Sequence, residues 1–287
     1  MKGIVLAGGK GTRLHPLTQA VSKQLMPIYD KPMIYYPIST LIAAGIHEIL
    51  IISTPQDLPL FERLLGDGSA WGCQFQYVEQ AQPNGLAEAL ILGEAFIDQS
   101  PVALILGDNL FYGQNFTPFV QAMQRTKGAA IFAYRVNNPS RYGVVTFDDQ
   151  NRGTSLEEKP EQPRSSFAVP GIYFYDATAV EKAKKLAPSS RGEIEITDLN
   201  KNYLNEGSLK VNPLSQGATW LDTGTIDSLL EASQFVQALQ SRQGVLVGSP
   251  ELAAYQSKAI DKNQLTDLAK RTAASTYGQA LKRFLQQ

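Results

Sequence analysis

The chain has 287 residues, of which 43% are hydrophobic, and a formal net charge of −1. That length admits one large domain or two small ones with ample core. The near-neutral charge argues against a general nucleic-acid or membrane-surface binder, so any phosphate site must be a local cluster of positive charge. A single cysteine, Cys73, excludes an internal disulfide and a multi-cysteine metal site. No apolar run reaches the ~18 residues of a membrane span, and the first apolar run passes into glycines too soon for a signal peptide. A reducing, cytoplasmic setting is expected.

In chain order, Ile4, Val5 and Leu6 form an apolar run without alternation, which reads as a strand buried on both faces. The chain then turns through Gly8, Gly9 and Gly11, where backbone N–H groups can cradle an anion; Lys10 and Arg13 add charge. The plainer reading is a tight strand-to-helix turn. The dinucleotide pattern G-x-G-x-x-G fails because Leu14 stands where its last glycine belongs, and no P-loop run occurs. A helix is predicted over 33–44, strands over 48–53 and 74–78, helices over 58–65 and 85–96, and a second fully apolar strand over 102–106 that ends on Gly107-Asp108. This alternation predicts an α/β fold: a Rossmann-like, mostly parallel central sheet flanked by helices, with ligands at the strands' carboxyl ends.

Beyond a helix at 116–125 and a strand at 129–135 the texture changes. Strand-like runs at 143–147, 155–158 and 168–175 suggest an antiparallel insertion able to cover a substrate. Helices follow at 177–186 and 196–206, and short strands at 209–213 and 218–221. The longest helix is expected over 226–242, with Leu229, Leu230, Ser233 and Val236 along one face. Several short helices should complete 252–287. No repeat or linker interrupts the chain, so one unit is expected, in three stretches: 1–135, 136–225 and a C-terminal helical region, 226–287.

Asp108 and Asp222 each follow a predicted strand. As a pair facing a glycine-rich loop they suit Mg²⁺, which takes oxygen ligands and keeps part of its hydration. Singly, Asp222 could instead cap the helix that follows, and Asp108 could be a turn residue. Glu158 and Lys159 could meet a sugar hydroxyl and a phosphate, or simply form a solvated charge run; Lys23 has the same ambiguity. Gln80 and Gly85 could read a pyrimidine edge or belong to a polar loop. Tyr142, Tyr173 and Trp220 could line a sugar pocket or a core. His15 and His47 have no partner at motif spacing, which disfavours zinc chemistry and a Ser-His-Asp triad.

Taken together, the runs LAGGKGTRLHPLT at 6–18, SKQLMPIYDKPMIYYP at 22–37, LLGDGSAWG at 64–72, LGDNLFYG at 106–113, RYGVV at 141–145, SLEEKP at 155–160, RGEIEITDLN at 191–200 and WLDTGT at 220–225 carry a family likeness. The chain resembles the sugar-1-phosphate nucleotidyltransferases, and within them the thymidylyl subgroup. The resemblance implies that dTTP and glucose 1-phosphate give dTDP-glucose and pyrophosphate. It implies that Gly8, Gly11, Thr12 and Arg13 bind the triphosphate, that Lys23, beside Gln24, contacts phosphate, and that Gln80 and Gly85 contact thymine. Asp108 and Asp222 would hold Mg²⁺. Tyr142, Gly143, Glu158, Lys159, Val169 and Tyr173 would hold the glucosyl phosphate. A homotetramer, with a dTDP-rhamnose effector at an inter-subunit site, is also implied. Three positions depart from the family pattern: Asn84 where aspartate is expected, Pro170 for threonine and Ile226 for histidine. The rivals are the same chemistry with UTP or another hexose 1-phosphate, and a catalytically silent nucleotide-sugar sensor. A nicotinamide dehydrogenase is disfavoured by Leu14.

Overall fold

The computed structural model describes residues 1–113, 116–123, 125 and 127–286. Gln124, within the helix expected at 116–125, and Gln287 lie outside the described residues. The strands are β1 (Lys2–Leu6), β2 (Pro27–Ile28), β3 (Lys31–Pro32), β4 (Glu48–Ser53), β5 (Gln74–Glu79), β6 (Val102–Leu106) and β7 (Asn109–Tyr112). They continue as β8 (Ala129–Arg135), β9 (Gly143–Phe147), β10 (Gly153–Glu158), β11 (Phe167–Ala168), β12 (Ile172–Tyr175), β13 (Leu209–Pro213) and β14 (Thr219–Asp222).

A ten-stranded sheet runs β10-β9-β11-β8-β12-β6-β1-β4-β5, with β13 joined to β8. The strands β5, β4, β1 and β6 are parallel, and β12, β8, β11, β9 and β10 continue antiparallel. The apolar runs of the sequence sit at the centre, where both faces are covered. Successive side chains point to opposite faces, so the sheet divides two cores. Val5, Ile49, Ile51, Ala103 and Ile105 pack on one side with the helix Tyr35–Ala43. Ile4, Leu6, Leu50, Ile52, Val102 and Leu104 pack on the other with the helix Glu88–Leu92. Each such buried side chain contributes roughly 1.5–3 kcal/mol, which explains why these short strands need no alternation.

The two strands that carry the site are neighbours: Leu6 pairs with Leu106. The order reverses at this point, because the chain moves from β1 outward to β4 and β5 and returns to β6 on the other side. That switch leaves a crevice at the carboxyl ends. The segments after Leu6 and after Leu106 both open into it.

Several expected elements differ. The helix expected at 85–96 is two pieces, Glu88–Leu92 and Glu94–Ile97, hinged at Gly93. A Cβ at Gly93 would lie 3.0 Å from both the Ala89 carbonyl oxygen and Ile4 Cδ1, so the break lets the chain lie against β1. The strand expected at 168–175 is divided into β11 and β12 around Pro170, which has no N–H for a ladder. The longest helix, Ile226–Gln243, buries Leu229, Ala232 and Val236, whereas Leu230 is 57% exposed. Its inner face is therefore 229/232/236, and Leu230 points to solvent. The strand β7 was not anticipated, since its short run follows β6 after only Gly107 and Asp108. The C-terminal helices Pro250–Gln256, Lys262–Arg271 and Thr276–Leu285 share a core with Tyr35–Ala43 through Ala254, Leu265 and Leu281. Among the described residues, no helix is long and apolar enough to cross a membrane. Cys73 is buried, and burial pushes its thiol up to about 12, which makes it an inert packing residue.

Candidate active site

The glycine loop is held through its carbonyls. Ser53 Oγ donates to the Ala7 oxygen at 2.9 Å, Gln24 Nε2 to the Gly8 oxygen at 3.4 Å, and Thr18 Oγ1 to the Gly11 oxygen at 2.7 Å. The N–H groups of Gly8, Gly9, Lys10 and Gly11 make no hydrogen bond to the described residues. Four such donors on one short loop are thereby left available to an anion. Gly9 and Gly11 have φ of 100° and 58°, the left-handed region that a side chain disfavours. The loop ends on Leu14, fully buried in a third cluster with Met33, Leu229 and Val236. The residue that breaks the dinucleotide pattern is thus the anchor that fixes Arg13 beside the crevice.

Asp108 leaves the end of β6, and Asp222 ends β14. The two meet because β14 pairs antiparallel with β7, which puts Asp222 opposite Asn109. Thr223 ties the ribbon further, its hydroxyl donating to the Asp108 carbonyl oxygen at 2.8 Å. Helix capping does not consume Asp222: Thr225 caps Ile226–Gln243 in a reciprocal pair with Ser228. Arg13 stands close by, since a Cβ on Gly224 would lie 3.0 Å from Asp222 Oδ1 and 3.2 Å from Arg13 Nη2.

Lys23 forms an ion pair with Asp108 Oδ2. Asn109 Nδ2 donates to Asp108 Oδ1 at 2.8 Å. Burial opposes ionisation of Asp108, but the Lys23 ammonium and these hydrogen bonds outweigh it and hold the carboxyl below the usual range. Among the described residues Asp222 has no such partner: burial, then the Asp108 carboxylate, push its carboxyl up. Two neighbouring carboxylates, one of which raises the other, suit a divalent cation. Among the described residues no group of three or more His, Cys, Asp and Glu could hold a metal. The remaining positions would therefore fall to phosphate oxygens and water, the ligands that Mg²⁺ prefers.

Two cavities meet at Asp108, and Asp222 lines the second. One, of about 180 Å³, is lined by Gly8, Gln24, Gln80, Gly85, Leu106 and Asp108. The other, of about 280 Å³, includes Arg13, Asp108, Tyr142, Lys159, Tyr173 and Asp222. They share Leu86, Leu106, Asp108 and Glu193. Gly143, Glu158, Val169 and Trp220 also line the second cavity. Glu158 Oε2 accepts from Thr197 Oγ1 at 2.6 Å, and Lys159 Nζ lies 3.3 Å from Glu158 Oε1. A Cβ on Gly143 would fall 3.1 Å from Thr197 Oγ1, so glycine gives this pair its room. Trp220 Nε1 and the Gly171 N–H both donate to Asn109 Oδ1. Trp220 is therefore part of the packing and of the cavity wall.

Thr12 faces elsewhere. With Lys10, His15 and the far side of Lys23 it lines a wider concavity of about 590 Å³ behind the loop. Gly11 reaches neither cavity at the Asp pair; it packs on Thr18. Gly85 has φ of 113°, and a Cβ there would lie 2.4 Å from the Ile194 carbonyl oxygen. Asn84 donates to Glu88 Oε1 at 2.7 Å, a bond that an aspartate could not make. Ile226 is 49% exposed at the start of its helix. Sequence reasoning assigned no role to Arg141, Arg191, Glu193, Glu195 or Thr197, which line the second cavity. Four of them lie in the run 191–200, whose density of charge before a helix was the available signal.

The nucleotidyl transferase family model matches residues 2–238. The chain belongs to the nucleotidyl transferase family. A glucose-1-phosphate thymidylyltransferase of Mycolicibacterium smegmatis is 54% identical over 285 residues, covering 99% of each chain. A crystal structure described as a glucose-1-phosphate thymidylyltransferase from Bacillus anthracis with a sucrose superposes with a TM-score of 0.76 at 39% identity, over 82% of this chain and 94% of that one. A UDP-glucose pyrophosphorylase complexed with UDP-glucose superposes with a TM-score of 0.73 at 26% identity, over 83% of this chain and 98% of that one. A glycine-rich loop and a carboxylate pair on one crevice are what this family member places at its strands' carboxyl ends.

Proposed function

We propose that this nucleotidyl transferase moves the thymidylyl group of dTTP onto glucose 1-phosphate, giving dTDP-glucose and pyrophosphate. The observation that carries the reading is that two cavities share Asp108, with Asp222 on the wall of the second. The nucleotide lies on the side of Gly8, Gln80 and Gly85, and the sugar phosphate on the side of Tyr142, Glu158, Lys159 and Tyr173. Only at the junction do both substrates' phosphates approach.

Gln80 pairs with the imide edge of thymine, and the Gly85 backbone completes that contact. The N–H groups of the glycine loop bind the triphosphate, while Thr12, in the separate concavity, stays outside this contact. Glu158, steadied by Thr197, accepts from sugar hydroxyls; Gly143 leaves it room, while Val169, Tyr173, Tyr142 and Trp220 wall the sugar. Lys159 holds the attacking phosphate. Its oxygen is already an anion, so displacement at the α-phosphorus needs no strong base, and catalysis reduces to alignment and charge neutralisation. Arg13 stabilises the departing pyrophosphate. Asp108 and Asp222 would hold Mg²⁺, which when bound reduces repulsion between the two sets of phosphates. Lys23 keeps Asp108 ionised and lies within reach of the phosphates, and Gln24 fixes the loop through Gly8.

Pyrophosphate release from dTTP and Mg²⁺, with and without glucose 1-phosphate and with UTP in parallel, tests the reading. Release that requires the sugar phosphate and favours dTTP is expected. Preference for UTP would move the base assignment away from Gln80 and Gly85, and absence of release would refute the reaction. A cytoplasmic homotetramer with a dTDP-rhamnose effector site accompanies this reading; sedimentation and inhibition by dTDP-rhamnose test it.

A further inference from the structure

The amide of Gln80 can face the base cavity in either of two senses, and only one matches thymine. Gln80 is buried, at 5% exposure. Its Nε2 donates to Glu88 Oε2 at 2.7 Å. Its Oε1 lies over the glycine loop, where a Cβ on Gly8 would come within 2.6 Å of it. Among the described residues nothing donates to Oε1, and no side-chain oxygen or nitrogen is both buried and unpartnered. The carbonyl end is therefore the end offered to the cavity. The other oxygen of Glu88 accepts from Asn84 Nδ2 at 2.7 Å.

A carboxylate accepts hydrogen bonds and donates none. With Glu88 behind it, Gln80 must turn its NH₂ inward and its carbonyl toward the ligand. An oxygen there pairs with the N3–H of thymine or uracil and opposes the N3 lone pair of cytosine. We infer that Glu88 is a positioning residue that locks the Gln80 amide and thereby makes this site select imide bases over cytosine. The inference rests on the proposed nucleotide reading and extends it to a residue outside the contact surface. It also explains Asn84: an aspartate at that position would set two carboxylates against each other, whereas the asparagine amide donates.

Substitution by an amide separates this role from simple packing. In Glu88→Gln the new side chain can present either oxygen or NH₂ to Gln80, because Asn84 satisfies both senses. Gln80 is then free to flip and to donate to cytosine N3. In the double variant Asn84→Asp/Glu88→Gln, the carboxylate at 84 draws the NH₂ of the amide at 88 to itself. The carbonyl at 88 then faces Gln80 and restores the lock with its polarity relayed.

The test uses the full chain with Mg²⁺. Dissociation constants for dTTP, UTP and dCTP are measured by titration calorimetry, together with kcat/KM at saturating glucose 1-phosphate. The preference for dTTP over dCTP is expected to fall about tenfold or more in Glu88→Gln, a mismatch of one hydrogen bond at a buried group. The ratio of dTTP to UTP should stay constant, since both bases present the same imide edge. The double variant should recover the wild-type preference. An unchanged dTTP:dCTP ratio in folded Glu88→Gln, or an equal fall for all three nucleotides, would overturn the role of Glu88 alone. A wild-type chain that binds none of the three would overturn the nucleotide reading and the inference with it.

Discussion

Removal of the Lys23 ammonium offers a quantitative test of the charge balance at the site. Lys23 is 7% exposed and pairs with Asp108, whose side chain is 20% exposed. Neither group can regain full hydration if the other is lost. Breaking such a pair leaves an uncompensated charge, at a cost of about 3–5 kcal/mol when fully buried. The residual exposure of Asp108 lowers the expectation for Lys23→Met to about 2–4 kcal/mol at neutral pH. For a chain of this size that is a fall in Tm of roughly 3–7 °C. The pH dependence gives the sharper discrimination. In the wild type Asp108 is held below its ordinary value. Its contribution is present above the unfolded-state pKa and lost as pH falls through the folded one. In Lys23→Met the ammonium is gone, and burial with Asp222 nearby raises the Asp108 carboxyl instead. The variant then gains relative stability as pH falls and loses it as pH rises. The Tm difference between the two proteins should therefore shrink on acidification from pH 7 toward 4. Saturating Mg²⁺ at pH 7 should shrink it too, by supplying the missing positive charge. Thermal melts across pH, with and without Mg²⁺, measure this. A deficit constant across pH would mean that Lys23 acts through packing, and the electrostatic account would fail.

Three further outcomes are expected. Asp108→Asn should reduce turnover by about a thousandfold, as loss of a central electrostatic group does, while circular dichroism stays native; normal turnover by the folded variant would remove Asp108 from the metal role. Lys159→Ala should raise KM for glucose 1-phosphate by about tenfold or more, a charge-assisted contact, and leave KM for dTTP within twofold; initial-rate kinetics with each substrate varied would expose an equal effect, which counts against its placement. Gly85→Ala should weaken dTTP binding and lower Tm, because φ is 113° and the new Cβ would meet the Ile194 carbonyl oxygen at 2.4 Å. Unaltered calorimetric binding would mean that this backbone geometry does not form the base contact.

Much of the fold was legible because its central strands are local statements. The runs 48–53 and 102–106 are apolar enough to need cover on both faces, and their bounds, like those of 129–135 and 143–147, match the observed strands. The glycine loop was legible for the same reason: backbone donors without side chains in the way are written directly in residues 8–11. The errors fall where neighbours overrule pattern. Helical spacing ran through 85–96, yet contact with β1 breaks the helix at Gly93. Leu230 fits the periodicity of its helix as well as Leu229 does, but the third cluster lies under Leu229, Ala232 and Val236, with Phe235 and Leu239 at its margin, and leaves Leu230 outside.

By itself the sequence determined which chemical groups were on offer: a glycine loop of backbone donors, two carboxylates after strands, a carboxamide and a lysine beside a glutamate. Tertiary structure decided which of these meet. Parallel pairing of β1 with β6 brings the loop to Asp108, and pairing of β7 with β14 brings Asp222 to the same place. The burial this creates then sets charge: Lys23 keeps Asp108 ionised, while Asp222 carries the repulsion. Glu88 acquires its relation to Gln80 only once the helix Glu88–Leu92 packs beside the end of β5. Hydrogen-bond polarity and desolvation depend on which atoms face each other, and that is settled only when distant strands pair.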